Sequence, residues 1–363
     1  MDNEGRFPSR DQLSHALDEG RYLVTGGAGF IGSNFVHHMH RKHPKARITV
    51  LDKLTYAGNP SNLAEFEGQS WYRFVKGDIC DVSLVNALLG EGTDFVVNFA
   101  AETHVDRSIG DPSDFIKTDV FGVYVLLEAI RQFPVLRFLQ ISTDEVYGEV
   151  LGDPATEFSP LLPRNPYSAS KSGGDRLAYS YFATYGRPVI ITRCSNNYGP
   201  RQYPEKLIPL FATNAIEGEK LPVYGSGRNL RDWIHVIDHC RALESLLAVP
   251  EIEGEVFNVA TGDERDVLTI AAAILDHLKK PHSLIAHVVD RPGHDRRYAM
   301  GWGKLEGTTG WKPEYTFDTG LSETIDWYRD FPDWWRPLKS GEFLNYYRRN
   351  YKFLDDKRQA KSS

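Results

Sequence analysis

The sequence predicts an α/β fold in which a doubly wound parallel sheet is followed by a smaller C-terminal lobe. Short apolar runs alternate with segments of helical periodicity between Arg21 and Ile191. This alternation is typical of parallel strands joined by crossover helices. Beyond residues 189–193, irregular segments rich in Gly, Pro and Arg alternate with short helices. The length of 363 residues fits two domains or one large unit with a lobe.

A glycine-rich turn joins the first predicted strand to the first helix of this sheet. Gly26, Gly29 and Gly32 have the spacing that lets the backbone approach a pyrophosphate resting on the helix N-terminus. The second strand, residues 48–52, ends in Asp52, in the position of an acid that holds an adenosine ribose. Because an acid repels a 2′-phosphate, this combination predicts a Rossmann domain that binds NAD rather than NADP.

The following strands supply the rest of the expected cofactor site. The third strand ends at Asp78 and Ile79, which are positioned to meet the adenine, and small Ala100 and Ala101 after the fourth strand leave room for the cofactor. The full set of predicted cofactor-binding residues is Gly26, Gly29, Phe30, Ile31, Gly32, Asp52, Asp78, Ile79, Ala100, Ala101, Thr118, Tyr167 and Lys171.

Composition and charge exclude several classes of function. The net charge of −7 and the pI near 6.0 argue against a general affinity for nucleic acid or anionic membranes. The three cysteines, Cys80, Cys194 and Cys240, lack Cys-x-x-Cys spacing, so neither a metal site nor a disulfide framework is indicated. Residues 1–20 are polar, and no long apolar run occurs. We therefore expect a cytoplasmic protein with no metal and no membrane or nucleic-acid partner.

Polar residues follow the apolar run 138–141, which is predicted to be a buried strand. Thr143, Asp144 and Glu145 come directly after it, where the carboxyl ends of strands in open α/β sheets bind ligands. An adjacent acid and base are what is required to pull a proton from one carbon and expel water from the next. The triplet is therefore a candidate for catalysis.

Tyr167 and Lys171 lie four residues apart in a predicted helix and so point to one face. A cation one helical turn away favours the phenolate form of tyrosine. Tyr167 could then accept a proton from a sugar hydroxyl as a hydride leaves the same carbon. Alone, a Tyr-x-x-x-Lys is more often an ordinary surface pair, but here it accompanies the acid pair and the glycine turn.

A helix is also predicted from about Pro112 to Phe133. It carries an apolar stripe that requires a partner surface, and the stripe consists of Val120, Val123, Tyr124, Leu127 and Ile130.

Ligand-facing candidates accumulate in the C-terminal part of the chain. Arginine suits bidentate contact with phosphate, and an aromatic ring can stack on a base. The candidates are Asn196, Lys206, Leu207, Pro222, Tyr224, Arg231, Arg291 and His294, with His104 after the fourth strand as a residue that could face a sugar. The alternative is a set of solvated surface side chains, which position in the sequence leaves open.

From about Arg21 to Tyr351 these motifs resemble the extended short-chain dehydrogenase/reductases, and most closely the dTDP-glucose 4,6-dehydratases. The acid pair after Thr143 separates those dehydratases from related epimerases and decarboxylases. The other motifs that carry the resemblance are Ala100-Ala-Glu-Thr-His-Val-Asp-Arg-Ser-Ile, Asn196-Asn-Tyr-Gly-Pro-Arg-Gln, Lys206-Leu-Ile-Pro, Arg231-Asp-Trp and Arg291-Pro-Gly-His-Asp-Arg-Arg-Tyr.

The resemblance implies a role for each catalytic candidate. Tyr167 would deprotonate the glucose 4-hydroxyl while hydride passes to NAD, with Lys171 lowering its pKa and Thr143 bonding the same oxygen. Glu145 would take the C5 proton, and Asp144 would protonate the departing C6 hydroxyl before the hydride returns to C6. The implied reaction converts dTDP-glucose to dTDP-4-dehydro-6-deoxy-glucose.

The resemblance also implies a division of the chain and an assembly. Members of this family are homodimers that pair the helix near Tyr167 with the helix around residues 120–130, which would cover the apolar stripe. The implied parts are an N-terminal extension (1–20), an NAD-binding Rossmann domain (21–195), a mainly nucleotide-sugar-binding domain with segments returning to the Rossmann domain (196–351), and a polar tail (352–363).

Two positions depart from the family pattern, and other functions remain on the same scaffold. Val267 stands where a nucleotide-contacting Asn is usual, and Asp119 where a Thr-Asn pair is usual. The competing interpretations are an epimerase, a decarboxylase or a dehydratase of a UDP- or CDP-linked sugar, and an NAD-binding protein without catalysis. Epimerisation would leave Asp144 and Glu145 without a role. Proteins that have lost catalysis usually lose the Tyr or Lys, and both are present here.

Overall fold

The computed structural model describes residues 7–103, 105–290, 294–341, 343 and 347. Seven parallel strands form the main sheet in the order β10-β6-β5-β4-β1-β2-β3. Its strands are β1 (Arg21–Thr25), β2 (Arg47–Asp52), β3 (Tyr72–Lys76), β4 (Phe95–Asn98), β5 (Arg137–Thr143), β6 (Val189–Cys194) and β10 (Val256–Val259). The predicted doubly wound parallel sheet is confirmed.

The remaining strands belong to the C-terminal lobe. They are β7 (Asn196–Tyr198), β8 (Leu221–Tyr224), β9 (Leu230–His235), β11 (Glu264–Asp266), β12 (Ile285–Val288) and β13 (Arg297–Tyr298). β9 pairs with β7, β11 and β13, and β8 pairs with β12.

Helices cover both faces of the main sheet and build the lobe. They are α1 (Arg10–Glu19), α2 (Phe30–Lys42), α3 (Val82–Gly90), α4 (Val105–Gly110), α5 (Ser113–Ile116), α6 (Val123–Gln132), α7 (Pro166–Tyr185), α8 (Leu207–Glu217), α9 (Val236–Ala248), α10 (Val267–His277), α11 (Gly303–Thr309), α12 (Phe317–Asp330) and α13 (Pro332–Trp335). Short 3-10 turns span Pro60–Phe66, Asp144–Tyr147, His282–Leu284 and Pro337–Lys339, and a π-helical segment spans Lys117–Gly122. Among the described helices, none is long and apolar enough to cross a membrane.

The central strands of the main sheet are rich in apolar residues, as expected for parallel strands covered on both faces. Every residue of β4, β5 and β6 is buried. One face packs against α2 and α9, and the other against α3, α6 and α7. Strand order reverses between β1 and β4, so their carboxyl ends open the crevice in which such sheets bind ligands.

The N-terminal extension contributes a helix, α1, which a capping box at Ser9 and Gln12 starts. Its buried residues Leu13, Ala16 and Leu17 join the core on the α9 side of the sheet. Residues 1–6 of this extension lie outside the described part of the chain.

The predicted helix from Pro112 to Phe133 is present, interrupted by the π-helical segment. Val123, Leu127 and Ile130 are buried within the same chain, where α6 packs between α3 and α7. The expectation that this stripe needs an outside partner is wrong for these residues, because neighbouring helices already cover them. Ile116, Phe121 and Tyr124 are large apolar side chains that this helix exposes, at 52%, 46% and 42%.

The catalytic candidate helix α7 approaches the π-helical segment closely at Gly174. A Cβ atom there would lie 2.3 Å from the backbone oxygen of Asp119. Gly307 of α11 offers the opposite case, since a Cβ atom there would meet nothing within 4 Å.

We expect Gly174→Ala to lower the free energy of unfolding by roughly 1–3 kcal/mol, because the two helices must separate to admit the methyl group. Gly307→Ala is the matched control and should raise stability by about 0.4–1 kcal/mol through reduced unfolded-state entropy. Urea unfolding followed by circular dichroism measures both. Equal effects of the two substitutions would contradict the tight contact.

Candidate active site

One cavity of about 460 Å³ lies at the carboxyl edge of the main sheet, between β1, β4 and β5 and the C-terminal lobe. Every predicted site residue within the described part of the chain lines it. His104 and Arg291 are predicted site residues that lie outside the described residues. No group of three His, Cys, Asp or Glu side chains in the described ranges is arranged to hold a metal ion.

The glycine turn between β1 and α2 packs too closely against neighbouring backbone to admit side chains. Gly26 has a φ of 65°, and a Cβ atom on it would lie 2.6 Å from the backbone nitrogen of Ala100. A Cβ atom on Gly32 would lie 2.5 Å from the backbone oxygen of Gly26. Gly29 caps α2 without a side-chain hydrogen bond, so backbone N–H groups at this N-terminus are available to an anion.

Asp52 ends β2 as a buried carboxylate at the far wall of the cavity. Its Oδ2 accepts the backbone N–H of Ala28 at 2.9 Å, and its Oδ1 accepts that of Leu54 at 2.8 Å. Burial raises the pKa of Asp52, and the two backbone donors oppose this shift. Next to it, Asp78 pairs with Lys53 at 2.8 Å. These carboxylates fit the ribose and adenine end of NAD that the sequence predicts.

The acid pair follows β5 in the 3-10 turn Asp144–Tyr147. The Thr143 hydroxyl accepts the N–H of Glu145 at 3.3 Å and donates to Asp144 Oδ1 at 3.0 Å. Asp144 is 4% exposed, and its Oδ2 has no hydrogen-bond partner among the described residues. Burial and the neighbouring charge of Glu145 raise the pKa of Asp144 to about 8. Asp144 is therefore a neutral acid at pH 7, able to give up a proton.

A hydrogen bond connects Glu145 to the start of α7, the helix that carries Tyr167. Asn165 caps α7, and its Nδ2 donates to Glu145 Oε2 at 3.3 Å. Asn165 is not among the site residues predicted from the sequence. Its position directly before Pro166, at the start of a helical pattern, is the signal of an N-cap, but nothing local to it indicates that its amide meets Glu145.

Tyr167 and Lys171 face the cavity from the first turns of α7. Lys171 Nζ donates to the backbone oxygen of Ile141 in β5 at 2.8 Å. Burial raises the pKa of Tyr167 well above its ordinary value, and the charges of Glu145 and Asp119 add to the effect. The prediction that Lys171 favours the phenolate took account of the lysine charge and not of burial. In the folded protein, desolvation is the largest cause of the shift.

Asp119 connects α7 to the loop after β4. Its Oδ1 accepts the backbone N–H of Glu102 at 3.0 Å, and its Oδ2 accepts the Ser170 hydroxyl at 2.6 Å. Burial raises its pKa to about 6, and the charge of Lys171 opposes the shift. A carboxylate at this departure from the family pattern thus joins the cofactor wall to the tyrosine helix.

The opposite side of the cavity comes from the C-terminal lobe. The guanidinium of Arg231 lies 4.2 Å from the ring centre of Tyr298 and donates to the backbone oxygen of Asp295 at 3.0 Å. Lys206 Nζ donates to the Thr103 hydroxyl at 2.9 Å. The other predicted substrate residues that line this side are Asn196, Leu207, Pro222, Tyr224 and His294.

Two residues that the sequence analysis missed also line this side. Glu205 has a fully buried side chain whose Oε2 pairs with Arg107 Nη2 at 3.2 Å, while its Oε1 has no hydrogen-bond partner in the described chain. Tyr298 is buried under Arg231. Glu205 directly precedes Lys206, and Tyr298 is the last residue of the motif that begins at Arg291. Their closeness in sequence to predicted substrate-binding residues is the signal that could have identified them. Val267 lines the cavity as well.

A Rossmann sheet with a Tyr–Lys pair at its carboxyl edge and a C-terminal lobe over that edge is typical of the extended short-chain dehydrogenase/reductases. Comparison with known proteins agrees: the chain belongs to the GDP-mannose 4,6 dehydratase family, whose sequence model matches residues 23–324. The resemblance that the motifs predicted is therefore confirmed.

Individual relatives narrow the comparison. A dTDP-glucose 4,6-dehydratase of Streptomyces niveus is 50% identical over 326 residues, which cover 89% of this chain and 96% of the relative. A dTDP-glucose 4,6-dehydratase of Mycobacterium tuberculosis is 47% identical, and the match covers 91% of this chain and 99% of the relative. Among solved structures, the dTDP-glucose 4,6-dehydratase DesIV of Streptomyces venezuelae, with NAD bound, superposes with a TM-score of 0.85 at 47% identity, covering 88% of this chain and all of DesIV.

The raised pKa of Asp144 gives a prediction for stability. The native state holds a proton on Asp144 that the unfolded chain releases near its ordinary pKa, so the stability tied to this proton is lost as pH rises through about 8. Asp144→Asn carries no such charge, and its stability relative to the parent should increase between about pH 5 and about pH 9. Urea unfolding at both pH values measures the difference, and an unchanged difference would argue against a protonated Asp144.

Proposed function

We propose that this protein removes water from dTDP-glucose to give dTDP-4-dehydro-6-deoxy-glucose, with NAD as its cofactor. The observation that carries the proposal is the pairing of a buried neutral acid, Asp144, with Glu145 in the same cavity as Tyr167 and Lys171. Oxidation alone or epimerisation would give this acid pair no role. The relatives named dTDP-glucose 4,6-dehydratase, at 47–50% identity over most of the chain, support the same reaction.

The cofactor half of the cavity fits NAD. The turn at Gly26, Gly29 and Gly32 would hold its phosphates, Asp52 the adenosine ribose, and Lys171 the ribose next to the reacting ring. When bound, NAD supplies the acceptor and later the donor of the hydride.

Tyr167 takes the proton of the C4 hydroxyl as that carbon is oxidised. The high pKa of Tyr167 makes this phenol a strong base once ionised, and the cation of Lys171 on the same helix face would favour the ionised form. The Thr143 hydroxyl, which already lies within hydrogen-bond distance of Asp144, bonds the same substrate oxygen and orients it.

The new C4 ketone acidifies the C5 proton, and the acid pair then eliminates water. Glu145 takes the C5 proton, while Asp144 gives its proton to the C6 hydroxyl, which leaves as water. Reduction at C6 and return of a proton to C5 complete the sequence, so the only net loss is one water. The division of labour depends on environment: Asp144 is kept neutral by burial, whereas Glu145 accepts a hydrogen bond from the Asn165 amide.

The lobe side of the cavity holds the nucleotide and the sugar. Positive and amide groups suit the diphosphate, and the assigned residues are Asn196, Lys206, Leu207, Arg231, Arg291 and His294. Pro222 and Tyr224 would contact the base, and His104 the sugar. The unpaired Oε1 of buried Glu205 is suited to accept a sugar hydroxyl.

We further propose a homodimer in the cytoplasm. Ile116, Phe121, Tyr124 and Tyr179 are exposed large apolar side chains on the helical layer formed by α5, the π-helical segment, α6 and α7. A second copy would cover this surface. Three free cysteines and the acidic composition suit a reducing compartment. The proposal also divides the chain, after residues 20, 195 and 351, into the N-terminal extension, the NAD-binding domain, the mainly nucleotide-sugar-binding domain and the polar tail.

The decisive experiment is incubation of the protein with dTDP-glucose and, separately, UDP-glucose and CDP-glucose. The product is followed by mass and by the ultraviolet band of the 4-keto sugar in alkali. Loss of one water from dTDP-glucose alone is the expected result. Loss from UDP- or CDP-glucose instead would move the substrate assignment, and no loss from any of them would overturn the reaction.

Glu145→Gln should slow loss of the C5 proton by about a hundredfold or more, the scale of a general base, while NAD binding stays near that of the parent. The amide keeps the shape of the side chain and removes the base. Solvent-deuterium incorporation at C5 measures the step, with NAD affinity as the control. Parent-like incorporation would remove Glu145 from this role.

Tyr167→Phe should abolish the first oxidation, because the ring stays in place without the hydroxyl. Stopped-flow absorbance of NADH after mixing with dTDP-glucose follows this step. NADH formation at the parent rate would identify another group as the base.

A further inference from the structure

The face of α7 that carries the Tyr–Lys pair continues one turn further to Asp175. Tyr167, Lys171 and Asp175 follow at four-residue intervals and therefore share one side of the helix. Asp175 is completely buried and accepts two bonds from Arg193 of β6, Nε to Oδ2 at 2.8 Å and Nη2 to Oδ1 at 3.0 Å. This fork fixes the angle as well as the distance between helix and strand.

Arg193 of β6 contacts both Asp175 of α7 and the turn that carries Asp144 and Glu145. Its Nη1 donates to the Tyr147 hydroxyl at 2.8 Å, and its guanidinium carbon lies 4.9 Å from the centre of the Tyr147 ring. Tyr147 is the last residue of the 3-10 turn that begins at Asp144. The fork on α7 is thus linked to the far end of the turn that carries the acid pair.

The Tyr147 hydroxyl also forms a hydrogen bond with Asn258 of β10. It donates to Asn258 Oδ1 at 2.7 Å, and Asn258 Nδ2 donates to the backbone oxygens of Ala155 and Gly301, both at 3.1 Å. Asp175, Tyr147 and Asn258 thus have partners for every side-chain oxygen and nitrogen within this buried network. A fully satisfied buried network holds one arrangement firmly.

We infer that Tyr147 is a positioning residue that, through Arg193 and Asp175, fixes the acid–base turn relative to Tyr167 and Lys171. The inference rests on the proposed function. The network links the turn to α7 indirectly, through Arg193 of β6. Among the described residues, the direct side-chain bond between the turn and the start of α7 is the 3.3 Å contact of Asn165 with Glu145, which is long and at the edge of the hydrogen-bond range. The Tyr147 network therefore carries most of the restraint.

The two halves of the proposed reaction depend differently on this restraint. Oxidation at C4 needs Tyr167, Lys171 and Thr143, whereas elimination also needs Asp144 and Glu145 at the neighbouring carbons. A misplacement of about 1 Å can cost about a hundredfold in rate. Loosening the turn while leaving α7 in place should therefore slow elimination far more than oxidation.

Tyr147→Phe tests the inference on the full-length protein, with Tyr22→Phe as the matched control. The hydroxyl of buried Tyr22 donates to the backbone oxygen of Leu17 at the opposite, amino edge of the sheet. We expect Tyr147→Phe to oxidise dTDP-glucose within about threefold of the parent rate but to eliminate water at least about tenfold more slowly. NADH should accumulate during a single turnover in this variant and not in Tyr22→Phe.

Other results overturn the inference. They are a parent-like ratio of the two rates in Tyr147→Phe, or an equal fall of both. If Tyr147→Phe does not fold, Asp175→Asn replaces it, because the amide keeps the shape of the acid and weakens the fork to Arg193; NADH must then accumulate in that variant. A parent protein that takes no water from dTDP-glucose would instead show that the proposed function has failed, before any variant is compared.

Discussion

The burial of β5 is the constraint on which the rest of the site depends. All seven of its residues are buried, and it pairs with β4 on one side and β6 on the other. Polar side chains can follow such a strand only where it leaves the sheet, so Thr143, Asp144 and Glu145 emerge together at the carboxyl edge. The same pairing places Arg193 beside Ser142, which brings the Asp175 fork behind the catalytic turn.

Desolvation sets the chemistry of this edge. It is the largest cause of the raised pKa of Asp144, of Tyr167 and of Asp119, so Asp144 and Tyr167 keep their protons at pH 7 and Asp119 ionises less readily than an exposed carboxyl group. A site of this kind stores protons for use in catalysis and avoids the cost of several like charges in one cavity. The charge of Lys171 opposes the rise in the pKa of Asp119.

The features that follow from local spacing were predictable from the sequence. The glycine turn, Asp52, the acid pair and Tyr167–Lys171 each lie within one element and its next turn, so strand and helix periods place them. Asn165 against Glu145, and Glu205 in the cavity, depend on contacts between distant segments, which periodicity does not encode. The effect of Lys171 on the pKa of Tyr167 was predicted from the ordinary pKa of an exposed tyrosine. The burial of Tyr167, which raises that pKa, is a property of the packed site. Likewise, the stripe on α6 was recognised, but its cover by α3 and α7 was not.

The return of the chain to the main sheet at β10 has a consequence for how the protein is made. β10 pairs with β6 through Val256–Val259, after more than fifty residues, which include β7, α8, β8, β9 and α9, have intervened. Until that segment leaves the ribosome, β6 is a parallel edge with unpaired backbone groups, and Asn258 is missing from the bond with Tyr147. Such an edge is prone to pair with other chains. A fragment that stops after β6 should therefore be aggregation-prone, and synthesis must pass residue 259 before the catalytic turn acquires its final anchor.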